Sequence, residues 1–293
     1  MRQSFRAFAK INVSLDITGR RENGYHDIKT IMQSVSLYDD ITVENGKNGI
    51  NISSSCPYLA TDKRNTAYKA AELFFEKSGI SDGADIYIDK RIPMGAGLGG
   101  GSADAATVLN VLNGMYGFPL SNDEILQTAL LCGADVPFCV QGGTCLAEGL
   151  GEELTNLPPF PDCFIVIAKP DMSINTKAAY KAYDKLAVTE HPLTDEIISC
   201  IRNSDLHGIS VRVFNVLEEA AKEKYKELGR FKGIMLESGA LGSAMTGSGS
   251  AVFGIFDNRS RAYAAKKKFL KRGVACFVTR PVGERSITHK MLP

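Results

Sequence analysis

The chain has 293 residues, 44% apolar and 23% charged, which is enough to bury a sizeable core and suits two domains. Its 34 Lys and Arg against 33 Asp and Glu leave a formal charge of +1, so no basic excess points to nucleic acid. No apolar run approaches the roughly 20 residues that span a bilayer, and residues 1–6 lead into a strand pattern without a signal peptide's apolar region.

Residues 5–18 alternate as a strand, with Ala7, Ala9, Ile11, Val13, Leu15 and Ile17 on one face. Phe8, Lys10, Asn12, Ser14 and Asp16 fall on the other. Lys10 reads as a solvent-facing lysine, or with Asn12 as the start of a polar site. A turn-rich loop, 19–25, ends at Tyr25-His26-Asp27 and precedes a strand from Ile28 to Leu37. Tyr25 and His26 fit packed loop residues, and equally a pair that stacks on a flat ligand and hydrogen-bonds it. Residues 41–54 suggest a hairpin. Asn65 has the type and position of an N-cap for a helix from Thr66 to Lys77, closed by Ser78-Gly79.

Next comes Pro93-Met94-Gly95-Ala96-Gly97-Leu98-Gly99-Gly100-Gly101-Ser102, half of it glycine, between the strand pattern 84–90 and a helix-forming run from Ala103. Without Cβ atoms such a loop lets backbone N–H groups approach an anion. The helix start adds unpaired donors and partial positive charge. The stretch is therefore built to bind phosphate.

Ser121 and Glu124 have capping-box spacing for a helix ending at Cys132-Gly133. Asp135, two residues before Pro137, fits a helix N-cap. Pro158-Pro159-Phe160-Pro161 marks a domain boundary, dividing the chain into 1–157 and 158–293. Beyond it come a strand 163–168, a helical segment around 177–186 and an amphipathic helix around 211–228. A second glycine loop, Thr246-Gly247-Ser248-Gly249-Ser250, leads into a strand 251–256, a helix to Lys271 and a last strand 274–279. The basic cluster 266–272 fits a solvated helix face. This order suggests an α+β sandwich. Seven scattered cysteines without a CxxC pair fit reduced thiols in the cytoplasm better than a disulfide framework or zinc site.

Gly95, Gly97 and Gly100 satisfy GxGxxG, but the strand with an acidic end that a dinucleotide fold needs does not follow. A Walker A loop needs Gly-Lys-Ser/Thr where this one has Gly-Gly-Ser, and the HRD and DFG elements of protein kinases are absent. The loop instead resembles the central motif of the GHMP kinases, Pro-x-x-x-Gly-Leu-Gly-Ser-Ser/Gly-Ser-Ala, here Pro93 to Ala103. Ala7 to Asn12 resembles that family's first motif and Thr246 to Ser250 its last. Gly24-Tyr25-His26 and Gly133 to Pro137 point to the branch whose acceptor is a cytidylyl sugar alcohol. The resemblance runs from Lys10 to the second glycine loop.

It implies a two-domain α+β fold, a ribosomal-protein-S5-domain-2-like N-terminal half that binds ATP and a ferredoxin-like α/β sandwich on the substrate side. ATP, with Mg²⁺ on its phosphates, would lie on residues 93–103, with Asn65, Thr66 and Lys90 walling the adenosine. Asp135 would act as general base for the acceptor alcohol, and Lys10 would stabilise the developing charge. Tyr25 and Tyr180 would sandwich the cytosine and His26 read its edge. Asn12, Thr176, Gly247 and Ser248 would contact the rest of the substrate. The metal ligands stay unassigned. A kinase for mevalonate or homoserine and a non-catalytic ATP-binding relative are the alternatives. The partners implied are small molecules, with no nucleic acid or membrane, in a monomer or homodimer.

Overall fold

The computed structural model describes residues 2–46, 49–186, 188–222 and 225–284. The chain opens on two long antiparallel strands, β1 (Arg2–Arg20) and β2 (His26–Gly46). Their register slips between Phe8 and Lys10 and again between Asn12 and Ser14. Bulges of this kind re-aim side chains, and these two bracket the Lys10–Asn12 pair.

β3 (Ile50–Ser54), α1 (Thr66–Ser78) and β4 (Gly83–Asp89) follow. The expected hairpin at 41–54 does not form. β4 pairs antiparallel with β2 and parallel with β3, so it lies between them. The crossing is sealed where Ala84 N–H donates to Gly49 O at 3.1 Å; residues 47–48 of that expectation lie outside the described residues. Alternation specifies a strand but not its neighbour, and the later, more apolar β4 takes the inner place.

α1 begins as its sequence implies: Asn65 Oδ1 accepts from Ala67 N–H, and Gly79 closes the helix in the left-handed region. The glycine loop leads into α2 (Gly100–Met115). α3 (Asn122–Cys132) carries the complete Ser121–Glu124 capping box, and α4 (Val136–Gln141) follows. β5 (Thr144–Glu148) pairs with β2 and β6 (Glu153–Asn156) with β5. Phe74, Ile86, Ile88, Leu109 and Phe138 fill the core between this sheet and its helices.

The remainder runs β7 (Phe164–Lys169), α5 (Thr176–Tyr183), α6 (Thr194–Arg202), α7 (Leu206–Ser210), β8 (Phe214–Asn215), α8 (Val216–Lys222), α9 (Lys226–Glu237), β9 (Gly242–Met245), β10 (Val252–Phe256), α10 (Arg259–Leu270) and β11 (Ala275–Thr279). The single helix expected over 211–228 is broken. Phe214 and Asn215 pair parallel with Ser14 and Leu15, and Asn215 Nδ2 donates to Met245 O and Gly247 O, both at 2.8 Å. Residues 223–224 of that expectation lie outside the described residues. A tertiary contact here overrides the amphipathic period.

The second sheet has the order β11-β7-β10-β9, all antiparallel, which is the ferredoxin-like arrangement. Val166 and Ala168 face a core shared with Phe231 of α9 and Phe269 of α10. The alternate residues, Ile165 and Ile167, pack with Phe253 and Ile255 against Ala9, Ile11 and Val13 of β1. The two sheets therefore share one apolar layer, and the two glycine loops meet beside it.

Candidate active site

Residues 95–99 alternate glycine with an apolar residue. Gly95, Gly97 and Gly99 take φ of 61°, 76° and 66°, while Ala96 and Leu98 are buried in the inter-sheet layer. Backbone bonds fix both sides. Lys10 N–H donates to Leu98 O and Ala251 N–H to Ala96 O, each at 3.0 Å. At Gly97 the second glycine loop comes so close that a Cβ would stand 2.1 Å from Thr246 O. The Thr246 hydroxyl donates to Gly97 O at 3.2 Å. The loop is held rigidly, and its glycines serve close approach.

α2 starts at this loop with Gly99 as N-cap, no side-chain cap and no acidic residue in its first turn. The first N–H groups of a helix have no intrahelical partner. Here they border a cavity of about 1120 Å³. Thr66 Oγ1 donates to Gly101 O at 2.8 Å and ties α1 to this end of α2.

Lys10 is almost fully buried, with its Nζ 2.7 Å from Asn12 Oδ1 and 3.3 Å from Asp135 Oδ2. Asn12 is fixed in turn: its Nδ2 donates to Thr30 Oγ1 (2.8 Å) and its N–H to Thr246 Oγ1 (3.0 Å). Lys10 is thus no solvent-facing strand lysine. Asp135 occupies the N-cap position of α4, yet its side chain makes no capping bond. Its carboxylate turns to Lys10 and stays 35% exposed to the cavity.

At the other end, His26 lies stacked on Tyr180, centroids 5.0 Å apart. His26 Nε2 donates to Asp184 Oδ1 at 2.6 Å, which fixes the ring's tautomer and plane. Burial pushes the Tyr180 hydroxyl up to about 12, so it stays protonated. Tyr25 is 62% exposed at the cavity rim. The ring on Tyr180 is therefore His26, where the sequence suggests a pairing of Tyr25 and Tyr180 about a ligand. Thr176 and Ser248 hydroxyls meet at 2.9 Å, joining α5 to the second glycine loop.

One cavity gathers every sequence-predicted site residue but Ala103, which is buried in α2 behind the loop. Asn65 borders the cavity, but its amide is committed to Ala67 N–H and Ala60 O. Lys90 is similarly committed, its ammonium held by Asp39 and Asp104. The sequence reading passes over Asp39, Asp104 and Asp184, and names Thr246 only as part of the second glycine loop. Asp104 alone carries a signal, as a lone charge among Ala103, Ala105 and Ala106. Among the described residues no group of three or more His, Cys, Asp or Glu could hold a metal ion, and no helix is long and apolar enough to cross a membrane. None of the seven cysteines, all among the described residues, forms a disulfide.

Residues 65–143 match the family GHMP kinases N terminal domain, and 197–275 match GHMP kinases C terminal. A 4-diphosphocytidyl-2-C-methyl-D-erythritol kinase of Clostridium botulinum (strain Alaska E43 / Type E3) is 45% identical over 277 residues, covering 94% of this chain and 99% of its own. Its namesake in Clostridium novyi (strain NT) is 43% identical over 278 residues, covering 95% and 99%. A crystal structure of 4-(cytidine 5'-diphospho)-2C-methyl-D-erythritol kinase superposes with a TM-score of 0.83 at 33% identity, covering 96% of this chain and all of the other. A homoserine kinase from Cytophaga hutchinsonii shares the fold, with a TM-score of 0.75 at 21% identity over 96% and 95% of the two chains.

Proposed function

The chain belongs to the GHMP kinases and, among them, to the 4-diphosphocytidyl-2-C-methyl-D-erythritol kinases, and from that membership we infer how its cleft works. The enzyme phosphorylates the 2-hydroxyl of 4-diphosphocytidyl-2-C-methyl-D-erythritol with ATP, giving the 2-phosphate and ADP, in the non-mevalonate isoprenoid pathway. The observation that carries the site assignment is the Lys10–Asp135 pair, which lines the same cavity as an uncapped, glycine-fronted helix start.

Phosphoryl transfer asks for positioning and charge stabilisation more than for covalent chemistry. The N–H groups of 97–102 supply fixed donors to the triphosphate, with no reorganisation needed when charge moves. Asp135 accepts the proton of the attacking hydroxyl. Lys10 stabilises the negative charge that develops as the alcohol approaches phosphorus. Asn12 holds the Lys10 ammonium in place, and Thr30 and Thr246 hold Asn12. His26, Tyr180 and Tyr25 form the cytosine end of the cleft, with Thr176, Gly247 and Ser248 along the middle. A Mg²⁺ would arrive on the nucleotide, since Mg²⁺ is commonly held by substrate phosphates and few protein groups. When bound it neutralises phosphate charge. The same reading makes 1–157 the ATP-binding half and 158–293 the substrate-side half, which adds Thr176, Tyr180, Gly247 and Ser248 to the acceptor contacts Asn12, Tyr25 and His26 of the first half. It places the enzyme in the cytoplasm as a monomer or homodimer.

An acceptor panel tests the substrate. Acceptor-dependent ADP release is expected with the cytidylyl alcohol and not with mevalonate or homoserine. Equal turnover of homoserine or mevalonate would overturn the assignment.

A further inference from the structure

Beneath the glycine loop lies a buried cluster that the phosphoryl-transfer roles above do not use, although the sequence suggests Lys90 as a wall of the adenosine pocket. Lys90 Nζ donates to Asp39 Oδ2 at 2.6 Å and to Asp104 Oδ2 at 2.7 Å, with all three side chains at most 5% exposed. It sits directly under the start of α2, where a Cβ on Gly100 would lie 3.1 Å from Nζ. The two carboxylates differ. Asp39 Oδ1 also accepts the N–H groups of Arg91 (2.5 Å) and Ile92 (2.8 Å), so Asp39 receives three hydrogen bonds. Asp104 Oδ1 is buried without a partner, although its side chain borders the cavity.

Two carboxylates and one ammonium leave one uncompensated negative charge, and a buried group in that position takes up a proton. The proton belongs on the carboxyl with fewer donors. Burial, aided by Asp39 and opposed by Lys90, pushes the Asp104 carboxyl up to about 7. Burial works against the Lys90 ammonium, but Asp104 and Asp39 outweigh it and hold Lys90 above the usual lysine value.

We propose that Asp39, Lys90 and Asp104 are positioning residues of the ATP-phosphate loop, and that ATP binds the form in which Asp104 carries a proton. With that proton the triad is neutral beneath the helix start. Without it a net negative charge lies under the donors that must receive the triphosphate. Other groups around α2 do not supply the missing charge. Lys10 of β1 runs against Gly99 but is paired with Asp135 ahead of α4. α1 presents the uncharged Thr66, with its Lys69 donating to Leu131 O, and Glu124 of α3 is turned back on Ser121. The inference rests on the ATP reading of the loop but not on the identity of the acceptor.

The test is calorimetric titration of the full chain with magnesium ATP and no acceptor, from about pH 6 to about pH 8.5, spanning the Asp104 range. ATP's own ionisation is common to every variant and cancels. Wild-type affinity is expected to fall across this range at least about fivefold more than that of Asp104→Asn, because the competent fraction shrinks as the proton leaves. Asp39→Asn and Lys90→Met are expected to weaken ATP at every pH. Parallel pH profiles for wild type and Asp104→Asn would overturn the proposal. If Asp39→Asn or Lys90→Met fails to fold, the Asp104→Asn profile decides alone. Absence of ATP binding by the wild type at every pH would instead overturn the ATP reading beneath it.

Discussion

At the scale of the residue, the account turns on side chains whose environment the sequence leaves open. Lys10→Ala is expected to cut kcat by about 10²–10³, the usual cost of removing a transition-state charge donor, while ATP affinity measured by titration changes little. A loss confined to ATP affinity would move Lys10 from the reacting atoms to the nucleotide. His26→Ala is expected to raise the KM of the cytidylyl substrate far more than that of ATP; equal effects would argue against a base-reading role. Asp184→Asn should repeat the His26 pattern more weakly, since it acts through the His26 ring. Alternation puts Lys10 and Asn12 on one strand face, but it cannot reveal that this face is buried. Asp135 has the spacing of a helix cap, and only its side-chain direction separates a cap from a base.

At the scale of the element, local chemistry was the most legible. The Asn65 cap, the Gly79 stop and the Ser121–Glu124 capping box rest on contacts within a few residues, and all form as the sequence implies. The glycine loop was legible as a close-approach loop leading into a helix start. Its clamping by Thr246 was not, because that contact spans 149 residues. Gly97→Ala tests the clamp. Its φ of 76° alone costs a side chain about 1–2 kcal/mol, and the Cβ would also collide with Thr246 O. A lowered melting temperature and weakened ATP binding are expected together; normal ATP affinity would show that the loop tolerates displacement. The misplaced hairpin at 41–54 and the broken helix at 211–228 share one cause. In both, a strand distant in sequence, β4 or β1, takes the partner position.

At the scale of the molecule, the cleft exists because two sheets share an apolar layer and bring two glycine loops edge to edge. The sequence suggested two halves but not β5, β6 or the parallel pairing of β8 with β1. The buried triad links this architecture to pH. Asp104 has a folded value of about 7 against an ordinary carboxyl value near 4, so the folded state holds the extra proton between them. Its contribution to stability is full on the acid side and declines as pH rises from about 4 through about 7. The wild-type melting temperature, measured against that of Asp104→Asn, is expected to decline over that window; a constant difference would show that Asp104 is ionised throughout.

The most direct measurement is single-turnover transfer of the γ-phosphoryl group from labelled ATP to 4-diphosphocytidyl-2-C-methyl-D-erythritol by wild type and Asp135→Asn, with ATP binding followed in the same samples. Transfer is expected to slow by about 10²–10⁴ in the variant, the range for loss of a general base, with ATP bound as in the wild type. Transfer at the wild-type rate by Asp135→Asn would contradict the account.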